Sequence, residues 1–365
     1  MIVPLRDRGV NIRERFARRE TIARAGSLRY NPGMNWDMVG HEWAVRLLQE
    51  HIIHQKVRHA YLFCGPPGIG RRTLALRFAQ ALNCLQPPTP GTPCRTCRAC
   101  RQLESQRHPD LSLVQAEQEG KDIKVEQIRI LQHSLSLAPY EAVYRIALLR
   151  DFQAANANAQ NAMLKTLEEA PTQVILLVTA DMPEGLLPTI VSRCEVMRLR
   201  PLPLEQVSQH LEEQRGLPPA EARLLAHLSG GRLGYALRLQ ADPATLEKRQ
   251  VLLDALQSLL TSPRRERFAY MEGLTRNKDK QREALRTALQ TWLSYWRDLL
   301  LCSAGADTPL VNLDRETELH RLAGQIDRST ALHAVTGLER GLEQLQANVN
   351  PRLLGEVLLL DWPKI

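Results

Sequence analysis

The chain has 365 residues, 44% hydrophobic and 24% charged, the make-up of a soluble protein with two or three cores. No apolar run approaches the roughly 18 residues of a membrane span and no basic-then-apolar signal opens the chain. Membrane and secretory classes are therefore excluded, and a cytoplasmic protein is expected. The net charge of +8 is uneven, because residues 1–33 hold eight arginines against Asp7, Glu14 and Glu20, an excess of +5.

Residues 1–33 read as a basic extension with three candidate origins. It is a disordered arm for nucleic acid or acidic lipid, a transit-like peptide, or upstream sequence translated from a misassigned start. Patterned sequence begins at Met34 with MNWDMVGHEWAVRLLQ. AYLFC (60–64) reads as a buried strand, followed by GPPGIGRRT (65–73) and a helix over 72–83. LSLV (111–114), YRIALLR (144–150) and VILLVTA (174–180) read as further strands with helices between them. Apolar strands alternating with helices predict an α/β domain with a parallel sheet covered on both faces.

After RPLPLEQV (200–207) the strand signal stops. EARLLAHLSGG and RLGYALRLQ read as two short helices around Gly230 and Gly231, and from Pro243 the pattern is helical throughout. Trp292 and Trp296, at i,i+4 beside Leu293, Leu299 and Leu300, read as helix-packing core. The expected division is an α/β domain over 34–201, a small helical domain over 202–242 and an all-helical domain over 243–365.

GPPGIGRRT departs from the phosphate-binding loop G-x-x-x-x-G-K-[S/T] at two side chains. Gly65, Gly68 and Gly70 supply the backbone that cradles phosphates at a helix N-terminus. Arg71 stands where lysine would bridge the outer phosphates, with a larger and differently directed cation. Arg72 replaces the hydroxyl that holds magnesium, and Thr73 comes one residue late, roughly 100° further round the helix. The strand expected to end in an acidic pair ends in Arg150-Asp151, with one carboxylate beside a cation. The fold signal is strong while ATP and Mg2+ handling at this site is disfavoured, although the cradle and Arg71 leave room for residual nucleotide binding.

Seven cysteines are present, four of them Cys84, Cys94, Cys97 and Cys100 within an inserted module over 84–100 led in by PPTPGTP. Three at x2 spacing plus one more suit a structural tetrahedral Zn2+, with an iron–sulfur cluster or loose reduced thiols as rivals. His108 is a spare ligand or packs beside Pro109. NAMLKTLEEAP (161–171) reads as an amphipathic helix closed by proline, with Lys165 and Glu169 at i,i+4. Ser192-Arg193-Cys194 follows LLPTIV, and on its own Arg193 reads as a surface arginine.

HAYLFCGPPGIG, the cysteine cluster, HPD (108–110), NAMLKTLEEAP, SRC, GGRLGYALRL and NVNPRLLGEVLLL occur in one order over some 330 residues. Together they resemble the delta-prime family of the bacterial DNA polymerase III clamp loader. The resemblance implies an AAA+ P-loop (RecA-like) domain, a small helical lid and a C-terminal helical collar that oligomerises. It implies a stator in an open five-subunit ring with gamma/tau and delta, loading the sliding beta clamp onto primer–template DNA. Arg193, within Ser192-Arg193-Cys194, is then expected to reach the ATP of the neighbouring gamma/tau subunit as a trans arginine finger. The chain is expected to join a DNA polymerase holoenzyme while being neither polymerase nor ATPase. Gamma/tau keeps the working lysine, the hydroxyl, an Asp-Glu pair and a sensor arginine where Gly234 aligns here. Two alternatives stay open: an active gamma/tau-type ATPase with Arg71 acting for lysine, and a zinc-containing nucleic-acid-binding protein using the amino-terminal arginines and the cysteines.

Overall fold

The apolar runs form strands whose alternate residues go to opposite faces of one sheet. The computed structural model describes residues 36–118, 120–169, 171–347 and 349–364, so the expectations for residues 1–33 lie outside them. Two compact units meet between Arg200 and Pro201. In the first, chain order is α1 (Glu42–Ile53), β1 (Ala60–Cys64), α2 (Arg71–Asn83), α3 (Arg98–Glu104), β2 (Leu111–Val114) and α4 (Val125–Leu135). There follow β3 (Arg145–Leu149), α5 (Ala157–Glu168), β4 (Val174–Ala180), α6 (Pro188–Val191) and β5 (Glu195–Arg198).

All five strands are parallel, in the order β2-β3-β4-β1-β5. Tyr61, Phe63, Ile146, Leu148, Ile175 and Leu177 pack in one layer with Leu48 of α1 and Leu74 and Phe78 of α2. Their neighbours Ala60, Leu62, Ala147, Leu149, Leu176 and Val178 pack in the other with Ile128 of α4 and Met163 and Leu167 of α5. Each buried leucine or phenylalanine contributes about 2 kcal/mol, and period-two alternation fixes the register. A sheet of this order, with a glycine loop between β1 and the following helix, is the AAA+ fold. The strand β5 is a finding beyond the sequence pattern. It pairs with β1 alone and only Met197 of its four residues is buried, so as an edge strand it carries no apolar run.

The second unit holds two apolar clusters. Val207, Leu211, Leu225, Ala226, Ala236 and Leu239 join α7 (Leu204–Arg215), α8 (Pro219–Ser229) and α9 (Leu233–Ala241). The charged run LEQVSQHLEEQR hid α7, whose buried face is only Val207 and Leu211. The remaining helices are α10 (Pro243–Thr261), α11 (Arg264–Leu274), α12 (Gln281–Ser303), α13 (Glu316–Ala323), α14 (Arg328–Gln346) and α15 (Pro351–Leu360). Trp292, Tyr295 and Trp296 are fully buried at their centre. Trp362 meets the two tryptophans edge-on at centroid distances of 5.1 and 5.7 Å. Among the described residues no helix is long and apolar enough to cross a membrane.

Candidate functional site

The glycine loop leaves β1 at Gly65, whose φ of +148° and tight surroundings exclude a side chain, since a Cβ there would lie 2.8 Å from the Leu199 carbonyl oxygen. Gly70 (φ +112°) then turns the chain into α2 with no side chain capping the helix. Arg71, the first residue of α2, is 7% exposed and does not stand free. Its Nη1 donates to Asp181 Oδ1 at 2.6 Å and its Nη2 to Asp151 Oδ1 at 2.9 Å. Asp151 is held by its own backbone N–H, which donates to Thr179 Oγ1 at 2.8 Å.

Asp181 is the residue that the sequence reading did not single out. It directly follows β4, and because β4 lies between β3 and β1 its strand end faces the loop. The Gly65 N–H donates to the Asp181 carbonyl at 3.0 Å, fixing that approach. Arg150 points elsewhere, donating to Gln115 Oε1 at 2.7 Å. Arg72 and Thr73 are exposed on α2, and burial pushes the Cys64 thiol at the end of β1 up to about 11. The loop thus gathers one guanidinium and two carboxylates into one charge group, with the Gly65 N–H engaged on the end of β4.

Cys84, Cys94, Cys97 and Cys100 come together with their sulfurs within 4.8 Å of one another, a set that could hold one metal ion. The loop is folded to serve the sulfurs. Backbone N–H groups of Cys94, Cys97 and Cys100 donate to the sulfurs of Cys84, Cys94 and Cys97 at 3.2, 3.3 and 3.5 Å. A hydrogen bond from the Cys100 thiol pulls Cys84 down to about 5, against burial, and pushes Cys100 up, so the cluster favours a thiolate even before a cation arrives. His108 is outside the set. It is buried and its Nδ1 accepts from the Asp110 N–H at 3.1 Å. Gln80 of α2 donates to the Cys100 carbonyl at 2.7 Å, and Arg77 bonds both Gln80 and Glu104. The module is thereby bolted to the helix that leaves the glycine loop.

Arg193 lies two residues beyond the end of α6 and is partly exposed, whereas Ile190 within the helix is buried. Its Nη2 donates to Glu168 Oε1 at 2.7 Å and its Nη1 to the Thr189 carbonyl at 3.0 Å. Ser192 Oγ shares that carbonyl at 3.2 Å. Burial first, and Cys64 second, push the Cys194 thiol up to about 12, so it is an inert part of the platform. Gly234 sits in the first turn of α9, where no side chain can extend.

A family model described as "DNA polymerase III, delta subunit" matches residues 40–203, and one for the C-terminal part of that subunit matches residues 243–364. The chain is similar to the DNA polymerase III subunit delta' of Bacillus subtilis, 29% identical over 316 residues, 87% of this chain and 94% of that one. The delta' subunit of Pseudomonas aeruginosa is 39% identical over 209 residues, 55% of this chain and 61% of that one. The tau subunit of Escherichia coli is 32% identical over 237 residues, of which the alignment spans 64% of this chain and 36% of tau. A solved Thermotoga maritima gamma subunit-related protein aligns at 19% identity and a TM-score of 0.42 over 87% of this chain and 97% of that one. Matched along both of its folded units, the chain belongs to the delta-prime family of DNA polymerase III clamp-loader subunits.

Proposed function

We propose that this chain is the stator of a clamp loader, a non-hydrolysing AAA+ subunit that lends Arg193 to the ATP of a neighbouring gamma/tau subunit. One contrast carries the reading: Arg71 is committed to Asp151 and Asp181, while Arg193 is partly exposed. Magnesium needs carboxylate and hydroxyl oxygens, and here Arg71 holds both carboxylates while Arg72 offers no oxygen. The protein's own ATP site is therefore degenerate. The arginine that matters for hydrolysis is the one facing outward.

In trans, a guanidinium supplies positive charge where negative charge develops on the transferring phosphoryl group. With gamma/tau and delta, the ATP-bound assembly opens the sliding clamp and grips primer–template DNA, and hydrolysis releases the clamp around it. DNA contact runs through phosphates, in keeping with a basic surplus that carries no base-reading motif. The cysteines take a structural Zn2+: bonds of ~2.3 Å to four thiolates give a tetrahedron with edges of ~3.8 Å, a size the four sulfurs can adopt. All-cysteine ligation leaves no open position, so the ion would stabilise the module bolted to α2. The assembly works in the cytoplasm.

The test is ATP turnover by the reconstituted loader with primed DNA and clamp. Arg193→Ala is expected to leave assembly intact and to lower DNA-stimulated hydrolysis, and unchanged turnover would remove the finger. The rival, an active gamma/tau-type ATPase, requires hydrolysis by the isolated chain, and Arg71's two ion pairs argue against it. The other rival, a zinc-containing nucleic-acid-binding protein, requires residues 1–33 for DNA binding, whereas a stator assembles without them.

A further inference from the structure

The helix motif NAMLKTLEEAP (161–171) takes no part in the glycine loop or the cysteine module. In the fold its Glu168 meets the SRC arginine, 25 residues later in the chain. Glu168 is the last residue of α5, where the helix dipole disfavours a carboxylate. An exposed ion pair contributes little to stability, and Glu168 is about half exposed in its side chain. A carboxylate kept at the wrong helix end for so little stability points to what it does to its partner.

That partner is otherwise a long side chain just beyond a single turn of helix. The platform beneath it is rigid. Ile190 of α6 is fully buried in the cluster that holds Met163 and Leu167 of α5. Gln160 of α5 accepts from the Leu187 N–H at 2.9 Å, tying the start of α6 to the same helix. What these contacts leave undetermined is the direction of the guanidinium. The Thr189 carbonyl fixes one terminal nitrogen and Glu168 fixes the other. A guanidinium has five N–H groups in one plane. These two bonds use one on each terminal nitrogen and leave the second on each, with Nε–H, for an outside acceptor.

We infer that Glu168 is the positioning residue of Arg193, holding its guanidinium by one edge so that the rest of the fork meets the neighbour's phosphates. The inference rests on the finger reading of Arg193. It makes the two motifs one device: α5 ends in the carboxylate that aims the arginine of the loop after α6. Pre-aiming lets the encounter proceed without ordering the arginine at each turnover, which acts on the rate of hydrolysis and not on ATP affinity.

The test compares Glu168→Ala, Glu168→Gln, Arg193→Ala and the double variant Glu168→Ala/Arg193→Ala, each assembled with gamma/tau, delta, clamp and primed DNA. Glu168→Ala is expected to remove at least about half of the turnover that Arg193→Ala removes, at unchanged KM for ATP. Glu168→Gln, which keeps an acceptor oxygen, is expected to restore most of it, and the double variant to be no slower than Arg193→Ala. Wild-type turnover in Glu168→Ala alongside a slow Arg193→Ala overturns the positioning role and leaves the finger standing. Additive losses in the double variant also overturn it, as does faster turnover in Glu168→Ala, which would make the ion pair a parking contact. Unchanged turnover in Arg193→Ala removes the finger itself, and this inference with it.

Discussion

Arg71 Nη1 lies 2.6 Å from Asp181 Oδ1, joining the first residue after the glycine loop to the first residue after β4. The same guanidinium reaches Asp151 after β3 at 2.9 Å, so one cation ties together three adjacent strand ends. Because both carboxylates are more than 40% exposed, solvent screening keeps the stabilisation modest, about 1–2 kcal/mol in all. Arg71→Ala is expected to lose that amount in urea unfolding. Arg71→Lys is expected to leave the isolated chain without ATP turnover, because Arg72 still occupies the magnesium-hydroxyl position. Steady hydrolysis by the Arg71→Lys chain would show that the loop needs only its lysine and is not degenerate.

Metal content gives an independent check on the cysteine module. The purified protein is expected to carry one zinc per chain, and the absorbance of an iron–sulfur cluster would replace that assignment. Chelation should destabilise the first unit by about 3 kcal/mol, which for a unit of this size lowers Tm by roughly 6–12 °C. Cys100→Ser should do the same without chelator, since Cys100 is fully buried and a serine hydroxyl replaces one of the four thiolates. A Tm indifferent to chelator in protein that holds zinc would place the metal elsewhere.

Asp110 of the HPD sequence supplies a pH signature. Its carboxylate is buried, which alone would raise its pKa, but the N–H groups of Glu141, Tyr140 and Ala142 at 2.7–2.9 Å pull it below the usual carboxylate range. A depressed folded value means that the stabilisation is fully present above the unfolded value near ~3.9 and is lost as pH falls through the folded value. Asp110→Asn, which leaves buried N–H groups poorly paired, should cost about 2–3 kcal/mol at neutral pH. Below about pH 4 the gap to wild type should narrow. Parallel stability curves from pH 2 to 6 would rule out this carboxylate as the source.

The sheet was legible because β1 and β4 are buried on both faces and read as unbroken apolar runs. The weak elements, β5 and α7, hid for the same physical reason: each buries only one or two residues among mostly polar and charged ones. The loop's departure from the phosphate-binding pattern could be read from Arg71 and Arg72, but not where Arg71 goes, because Asp181 reaches it only through strand order. The Glu168–Arg193 pair was equally invisible, since 25 residues separate two motifs that meet only when α6 packs on α5. The expected Lys165–Glu169 pairing is not among the ion pairs of the described residues. Glu169 has left helical geometry as the cap of α5, with φ −119° and ψ 41°.

Arg267 of α11 gives the last expectation, and it concerns the helical unit. Its side chain is buried, and among the described residues no carboxylate pairs with it. Instead all five N–H groups meet backbone carbonyls: Nη1 those of Leu359 and Trp362, Nη2 those of Pro363 and Leu260, and Nε that of Ser262. These carbonyls belong to the C-terminal ends of α10 and α15 and the residues just beyond them, where helix dipoles favour a cation. Arg267→Ala should therefore strand several buried acceptors and cost about 2–4 kcal/mol. Lysine offers three N–H groups from one point and cannot span two helix ends, so Arg267→Lys should recover little. Trp362 packs against Trp292 and Trp296 directly beside these bonds, so its fluorescence should shift to the red in both variants before global unfolding. An Arg267→Lys protein within about 0.5 kcal/mol of wild type, a change typical of ordinary surface substitutions, would mean that charge alone, and not the five-way fork, holds the C-terminal segment in place.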